Sequence, residues 1–188
     1  MARAKACKVC KEPFTPVRPI QPTCGKFACG IEYALAVVAR NKANKARKEA
    51  KAHREAKVKA MTARDYLPLA QAAFNKFIRL RDADRPCISC GVTYGKWNAG
   101  HYRSVGSNPA LRFEPLNNHK QCVQCNQSKS GNAIEYRIGL IARIGQESVD
   151  WLEGPHEAKH YSIDDLKAIK AHYTALAKEL VCTTTNAI

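Results

Sequence analysis

The sequence predicts an α+β chain, mainly helical, in which a small cysteine-clamped module of short strands and loops is flanked by helices. Three observations carry this. Eight of the nine Cys fall into four close pairs, Cys7/Cys10, Cys24/Cys29, Cys87/Cys90 and Cys122/Cys125. Residues 31–64 contain neither Pro nor Gly and are rich in Ala, Lys, Arg and Glu, a composition of strong helix propensity. Between residues 85 and 132, Gly91, Gly95, Gly100, Gly106, Pro109 and Pro115 punctuate the chain, which implies short strands and loops.

Residues 1–30 are Pro- and Cys-rich with little periodicity. Their pattern, Cys7-x2-Cys10-x13-Cys24-x4-Cys29, fits a four-thiolate zinc site. So short a segment buries little apolar surface, and bound metal would supply its folding energy. It reads equally well as a DNA-contacting finger or as a knob capping the next helix. Met1 is followed by basic residues with no apolar signal core, and no apolar stretch is long enough to span a bilayer. A reducing cytoplasm, with no membrane partner, is therefore expected, and zinc is preferred over disulfides for the paired Cys. Cys182 stands outside the four pairs.

Residues 31–64 are expected to form one long basic helix, roughly 50 Å if continuous at about 1.5 Å per residue. The formal net charge is +15, and residues 1–64 hold sixteen Lys/Arg against Glu12, Glu32, Glu49 and Glu55. Charge so concentrated is the mark of an electrostatic arm for nucleic acid. Arg40, Lys42, Lys45, Arg47, Lys48, Lys51, Arg54, Lys57 and Lys59 are its candidate DNA-binding residues. Ala36, Ala39, Ala43, Ala46 and Ala50 alternate at three and four spacing, a narrow seam on which two copies could pair, although Ala knobs bury little area.

Residues 65–84 read as an amphipathic linker helix, with Tyr66, Leu67, Leu69, Ala70, Ala73, Phe74, Phe77, Ile78 and Leu80 giving mostly one stripe and Pro68 in its first turn. Residues 133–182 read as a helical scaffold. It holds a helix ended by Gly145, a short turn at 147–153, and a helix that Ser162 caps, with Leu166, Ile169, Tyr173, Leu176, Ala177 and Leu180 on one face. Residues 183–188 are expected to be a disordered tail.

The module at 85–132 carries the chemistry. Cys87-x2-Cys90 and Cys122-x2-Cys125, thirty-one residues apart, can complete a tetrahedron around one structural zinc. The insertion between them holds Gly100-His101 and Asn117-Asn118-His119, and Asn126 follows the last Cys. Taken singly, each of these is as well explained by a loop hydrogen bond, a turn or a knuckle cap. In this order around four Cys they resemble the HNH, or ββα-metal, nuclease superfamily. That resemblance implies two strands and a helix around one divalent ion, with His101 as general base, Asn117 orienting it and Asn126 as metal ligand. An imidazole can take a proton from water at physiological pH, and magnesium or manganese can neutralise charge on the leaving oxygen. Arg103, Lys120 and Lys129 would contact flanking phosphates. The superfamily usually has an acidic ligand just before the base, where this chain has Gly100. Asn98, Glu114 or a backbone carbonyl could replace it, or His101 could ligate the metal with His119 as base, or the copy could be non-cutting.

Cys7–Phe14, Arg85–Gly91, Ala99–Ser104, Leu111–Pro115, Gln121–Gln127 and Ser130–Asn132 are similar to the lambdoid-phage NinG recombination protein family, also called Rap, as is the Ala/Lys/Arg-rich segment between them. This resemblance implies a structure-specific endonuclease on branched recombination intermediates, D-loops and Holliday junctions, working among recombination proteins. Paired cuts in a four-way junction favour a homodimer. The rival is a non-catalytic zinc protein that binds DNA in an architectural role.

Overall fold

The computed structural model describes residues 3–185, with side chains to residue 183, and divides into two compact units, residues 1–60 and 61–188. In the first unit, strands β1 (Lys5–Ala6) and β2 (Pro13–Phe14) pair antiparallel, Lys5 opposite Phe14. Lys11 takes a left-handed φ of 64° in the turn between them. Helix α1 (Phe27–Lys59) then runs for 33 residues. It starts inside the cysteine-rich segment, so the expected boundary at residue 30 is wrong. Cys29 lies in its first turn and is its one buried residue, because the thiol faces the cluster. Beyond Val37 every residue of α1 is exposed, including the whole Ala seam. Loose i,i+4 pairs, Lys45–Glu49 and Lys51–Glu55 at 3.8 Å each, add a few tenths of a kcal/mol apiece at most.

The expected single helix to residue 64 breaks at Ala60. The second unit opens with helix α2 (Ala63–Arg81), whose N-terminus is a capping box: Asp65 Oδ2 accepts from Thr62 N at 2.8 Å. This start, two residues earlier than the periodicity predicts, puts Pro68 sixth in the helix rather than in its first turn. Helix α5 (Ile163–Thr185) is capped as expected: Asp165 N donates to Ser162 Oγ at 3.1 Å, and Ser162 N to Asp165 Oδ2 at 2.9 Å. It extends through Thr185, so residues 183–185 of the expected tail are helical, and 186–188 lie outside the described residues.

The apolar stripes of α2 and α5 face each other. Phe74 and Ile78 are fully buried with Leu166, and the Phe74 ring meets Tyr173 at 4.7 Å and Phe113 at 5.7 Å, both edge-on. Removing a buried ring of this kind costs about 3–5 kcal/mol. A second core joins Ile88 and Leu111 to helices α3 (Ala133–Ile144) and α4 (Gln146–Glu153) through Tyr136, Leu140, Val149 and Leu152. Between the cores lies an antiparallel pair, β3 (Trp97–His101) with β4 (Asn118–Cys122), in register Gly100↔His119 and His101↔Asn118. A π-helical turn, Gln124–Ser128, follows β4 directly. No helix among the described residues is long and apolar enough to cross a membrane.

Candidate active site and metal clusters

Each group of four paired Cys could hold one metal ion. Within each, the sulfurs lie within 4.8 Å of one another. Cys10 Sγ and Cys24 Sγ are 3.7 Å apart, as are Cys90 Sγ and Cys122 Sγ. A tetrahedron with Zn–S of about 2.3 Å has an edge of about 3.8 Å, so the donor set fits zinc. Backbone N–H groups already favour thiolate. Cys122 N donates to Cys87 Sγ at 3.3 Å and Cys125 N to Cys122 Sγ at 3.4 Å. Burial raises the Cys87 pKa, but such donors outweigh it and bring the thiol to about 7. The second cluster ties the turn at Cys87 to the end of β4, and so fixes the strand pair that carries the candidate site.

His101 ends β3, half-buried. Its Nε2 lies 2.9 Å from the Arg112 carbonyl oxygen, which only accepts, so Nε2 carries the proton. Nδ1 then holds the lone pair, and no hydrogen bond to it is present among the described residues. Burial lowers the His101 pKa, against the lift from the Arg112 carbonyl bond and with help from the Arg112 charge. The imidazole is therefore neutral at pH 7, oriented through one nitrogen and open at the other.

Asn117 does not touch that ring as expected. It is fully buried, and its amide pins the loop after His101: Oδ1 accepts from Arg103 N at 2.7 Å, and Nδ2 donates to the carbonyls of Arg103 (3.0 Å) and Leu111 (3.1 Å). Both Nδ2 protons are thereby used. Tyr102 N adds a bond to Asn117 O at 2.9 Å. Asn117 acts on His101 only through the backbone. Asn118, opposite His101 in the register, is fully buried with neither amide atom partnered.

His119 is excluded as the base. Pairing with Gly100 puts it on the opposite face of the strands from His101. There Arg81 Nη2 donates to its Nδ1 at 3.0 Å and its Nε2 donates to Leu116 O at 3.2 Å, which leaves neither nitrogen free. It belongs to a buried hub around Asp82. Asp82 also accepts from Arg81 Nε at 2.8 Å and from Lys120 N at 3.0 Å, with Arg143 Nη1 at 3.6 Å. Despite burial, these donors hold its carboxyl well below the usual carboxylate range. Asp82 and both arginines escaped the sequence reading. An Arg-Asp step at a helix end carries no motif, and the partners arrive from distant segments.

Gly100 is explained by packing. A Cβ there would overlap Gln121 Oε1 and lie 3.0 Å from Gln121 Cδ. Gln121 occupies that space and is held by donating to Ser89 Oγ (2.8 Å) and Gly131 O (2.6 Å), while its Oε1 has no partner. Tyr136 OH donates to Gly100 O at 2.7 Å from α3.

The remaining candidates divide. Lys120 is buried, its Nζ donating to Ala83 O at 2.6 Å and lying 4.4 Å over the Trp97 ring, so it is not a phosphate contact. Glu114 Oε1 caps the turn at Pro115–Asn117 through Leu116 N at 3.0 Å. Asn98 is half-buried with Nδ2 unpartnered, Asn126 half-buried on the π-helical turn, Arg103 half-buried and Lys129 exposed. The nine α1 cations are all exposed. Besides the two Cys groups, no cluster of His, Cys, Asp or Glu among the described residues could hold a metal ion. A magnesium or manganese ion beside His101 would therefore draw its oxygens mainly from amides, backbone carbonyls and water.

A family model described as Bacteriophage Lambda NinG protein matches residues 1–182. A protein named "Protein ninG" in Escherichia phage 933W is 45% identical over 195 residues, covering 95% of this chain and 94% of the relative. Its namesake in Escherichia phage lambda is 53% identical over 123 residues, 64% of this chain and 60% of the relative, so that match spans under two thirds of the lambda protein. That of Salmonella phage P22 is 50% identical over 123 residues, 64% and 61%. No solved structure matches.

Proposed function

We propose, because the chain belongs to the NinG family of lambdoid phages, that it is a DNA endonuclease acting on branched recombination intermediates such as D-loops and Holliday junctions. The observation that carries this reading is His101, a neutral imidazole fixed through Nε2 and open at Nδ1. Phosphodiester hydrolysis needs a water stripped of its proton in line with the leaving oxygen, and such an imidazole can take it. Asn117 holds the loop that sets where His101 points. The cations of α1 supply affinity without reading bases. The preference for branches rests on the family resemblance. A magnesium or manganese ion, held there by amide and carbonyl oxygens and water, would neutralise charge on the leaving oxygen.

The second reading, a non-catalytic zinc protein that binds DNA, has its own observation: Gln121 fills the place where a ligating acid would stand. Labelled linear, D-loop and four-way DNA, each with magnesium, with manganese and with neither, separates the two. Cutting of D-loop and four-way DNA in preference to linear DNA is expected. Tight binding with no cutting under any condition supports the second reading and overturns the first.

A further inference from the structure

Arg112 also lines a cleft of ≈ 300 Å³ to which neither the zinc clusters nor His101 contributes a residue. Its rim is cationic: Arg64 from the first turn of α2, Arg112, and Lys159 with His160 from the segment before α5. Arg64, Arg112 and Lys159 form no salt bridge among the described residues, and no acidic residue lines the cleft; Asp165, near Lys159, is occupied in the Ser162 cap. The floor is apolar, built of Leu67, Pro109 and Leu166. Tyr161 forms a wall, half-buried, fixed by OH donation to Pro109 O at 3.2 Å and by Phe113 edge-on at 5.1 Å, with Lys159 Nζ 5.3 Å over its ring.

Unneutralised cations around an apolar floor suit a ligand that is anionic on one side and flat and apolar on the other. Plain duplex DNA offers only the first, because its bases are stacked inside. An unpaired nucleotide offers both. We propose that this cleft binds one nucleotide of an unpaired DNA strand, its phosphate on Arg64, Arg112 and Lys159 and its base against Leu67, Pro109 and Tyr161. The proposal rests on the DNA-directed reading above and deepens it: a D-loop is distinguished from duplex by its displaced, unpaired strand. Arg112 links the two functions: its carbonyl fixes His101, and the residue lines the cleft, with Nη1 donating to Gln71 Oε1 at 3.3 Å.

The test uses the full chain without added magnesium or manganese, so that binding is read apart from cutting. Arg64 and Lys159 are exposed, and Arg64→Ala/Lys159→Ala leaves the core intact. Affinity for a short oligothymidylate is expected to fall about tenfold, a loss of about 1.4 kcal/mol, while affinity for a blunt duplex of the same length stays within about twofold. In the wild type, the oligothymidylate is expected to protect Lys159 from reductive methylation and the duplex is not. Equal losses on both DNAs, or no loss on either, overturns the cleft. If the selective loss appears in a protein that cuts nothing, the cleft stands and the nuclease reading fails. If branched DNA is cut but the variant loses no single-strand affinity, the reverse holds.

Discussion

His101 and His119 are both sequence candidates for the base, and the burial of their nitrogens separates them. His101 keeps Nδ1 open, whereas His119 spends both nitrogens inside the Asp82 hub. Sequence order could name the pair but not choose, because the choice depends on strand register and on Arg81 arriving from α2. Gly100 was legible only as an anomaly; its reason is Gln121, a neighbour across the ladder. Restoring an acid at that position forces a side chain into occupied space. Gly100→Asp is expected to cost about 1–3 kcal/mol of stability, and combining it with Gln121→Ala to cost less than the sum of the two changes. Chemical denaturation of the four proteins in this cycle checks it, and a Gly100→Asp protein as stable as wild type rejects the packing argument. Asp82 supplies a pH dependence. Arg81, His119, Arg143 and the Lys120 amide face it, with Tyr136 nearby. Its carboxyl is depressed in the fold, so its stabilisation is complete above the unfolded value of about 3.9 and is lost as pH falls below that. Burial likewise depresses His119, whose contribution begins to fade as pH drops below about 6.5. Asp82→Asn is expected to cost about 3 kcal/mol at neutral pH, since it strands two half-buried arginines. It should also flatten the fall in melting temperature below about pH 4. An unchanged acid limb would contradict this.

Among the elements, composition located α1 and the α2 and α5 stripes well, because long periodic segments declare themselves. Their ends were less legible. The start of α1 is set by Cys29 turning into the first cluster, and the start of α2 by a Thr62–Asp65 box that straddles the expected boundary after residue 64. The strands β3 and β4 were expected only as short strands, since Trp97–His101 and Asn118–Cys122 are too polar to show alternation. Helix α1 itself carries a prediction. Arg47, Lys48 and Arg54 are exposed and free of salt bridges among the described residues, and Ala keeps the helix. Replacing all three with Ala is expected to weaken DNA binding on every substrate. It should also make the plot of log affinity against log salt shallower, by roughly 0.9 for each phosphate that the helix no longer neutralises. Titration at several salt concentrations decides it, and an unchanged slope removes α1 from the DNA interface.

For the whole molecule, the sequence divides the labour as the two units do: one carries the long cationic helix and a four-Cys cluster, the other the second cluster, both cores and His101. The paired Cys were the most legible feature at this scale, because tight-turn spacing alone brings thiolates together. The role of Asn117 was legible only in part. A buried amide securing a loop and an amide orienting a ring leave the same trace in sequence. Absent from the sequence reading was the Arg112 backbone, whose carbonyl does the orienting. The central claim is that the chain is a nuclease whose base is His101, and it is tested most directly by comparing the wild type with His101→Ala on labelled four-way DNA. Zinc content and DNA affinity are measured for both. The expected result is a cleavage rate at least about a hundredfold lower in the variant, with two zinc ions per chain and unchanged binding. Cleavage at the wild-type rate by a folded, zinc-loaded His101→Ala protein would contradict it.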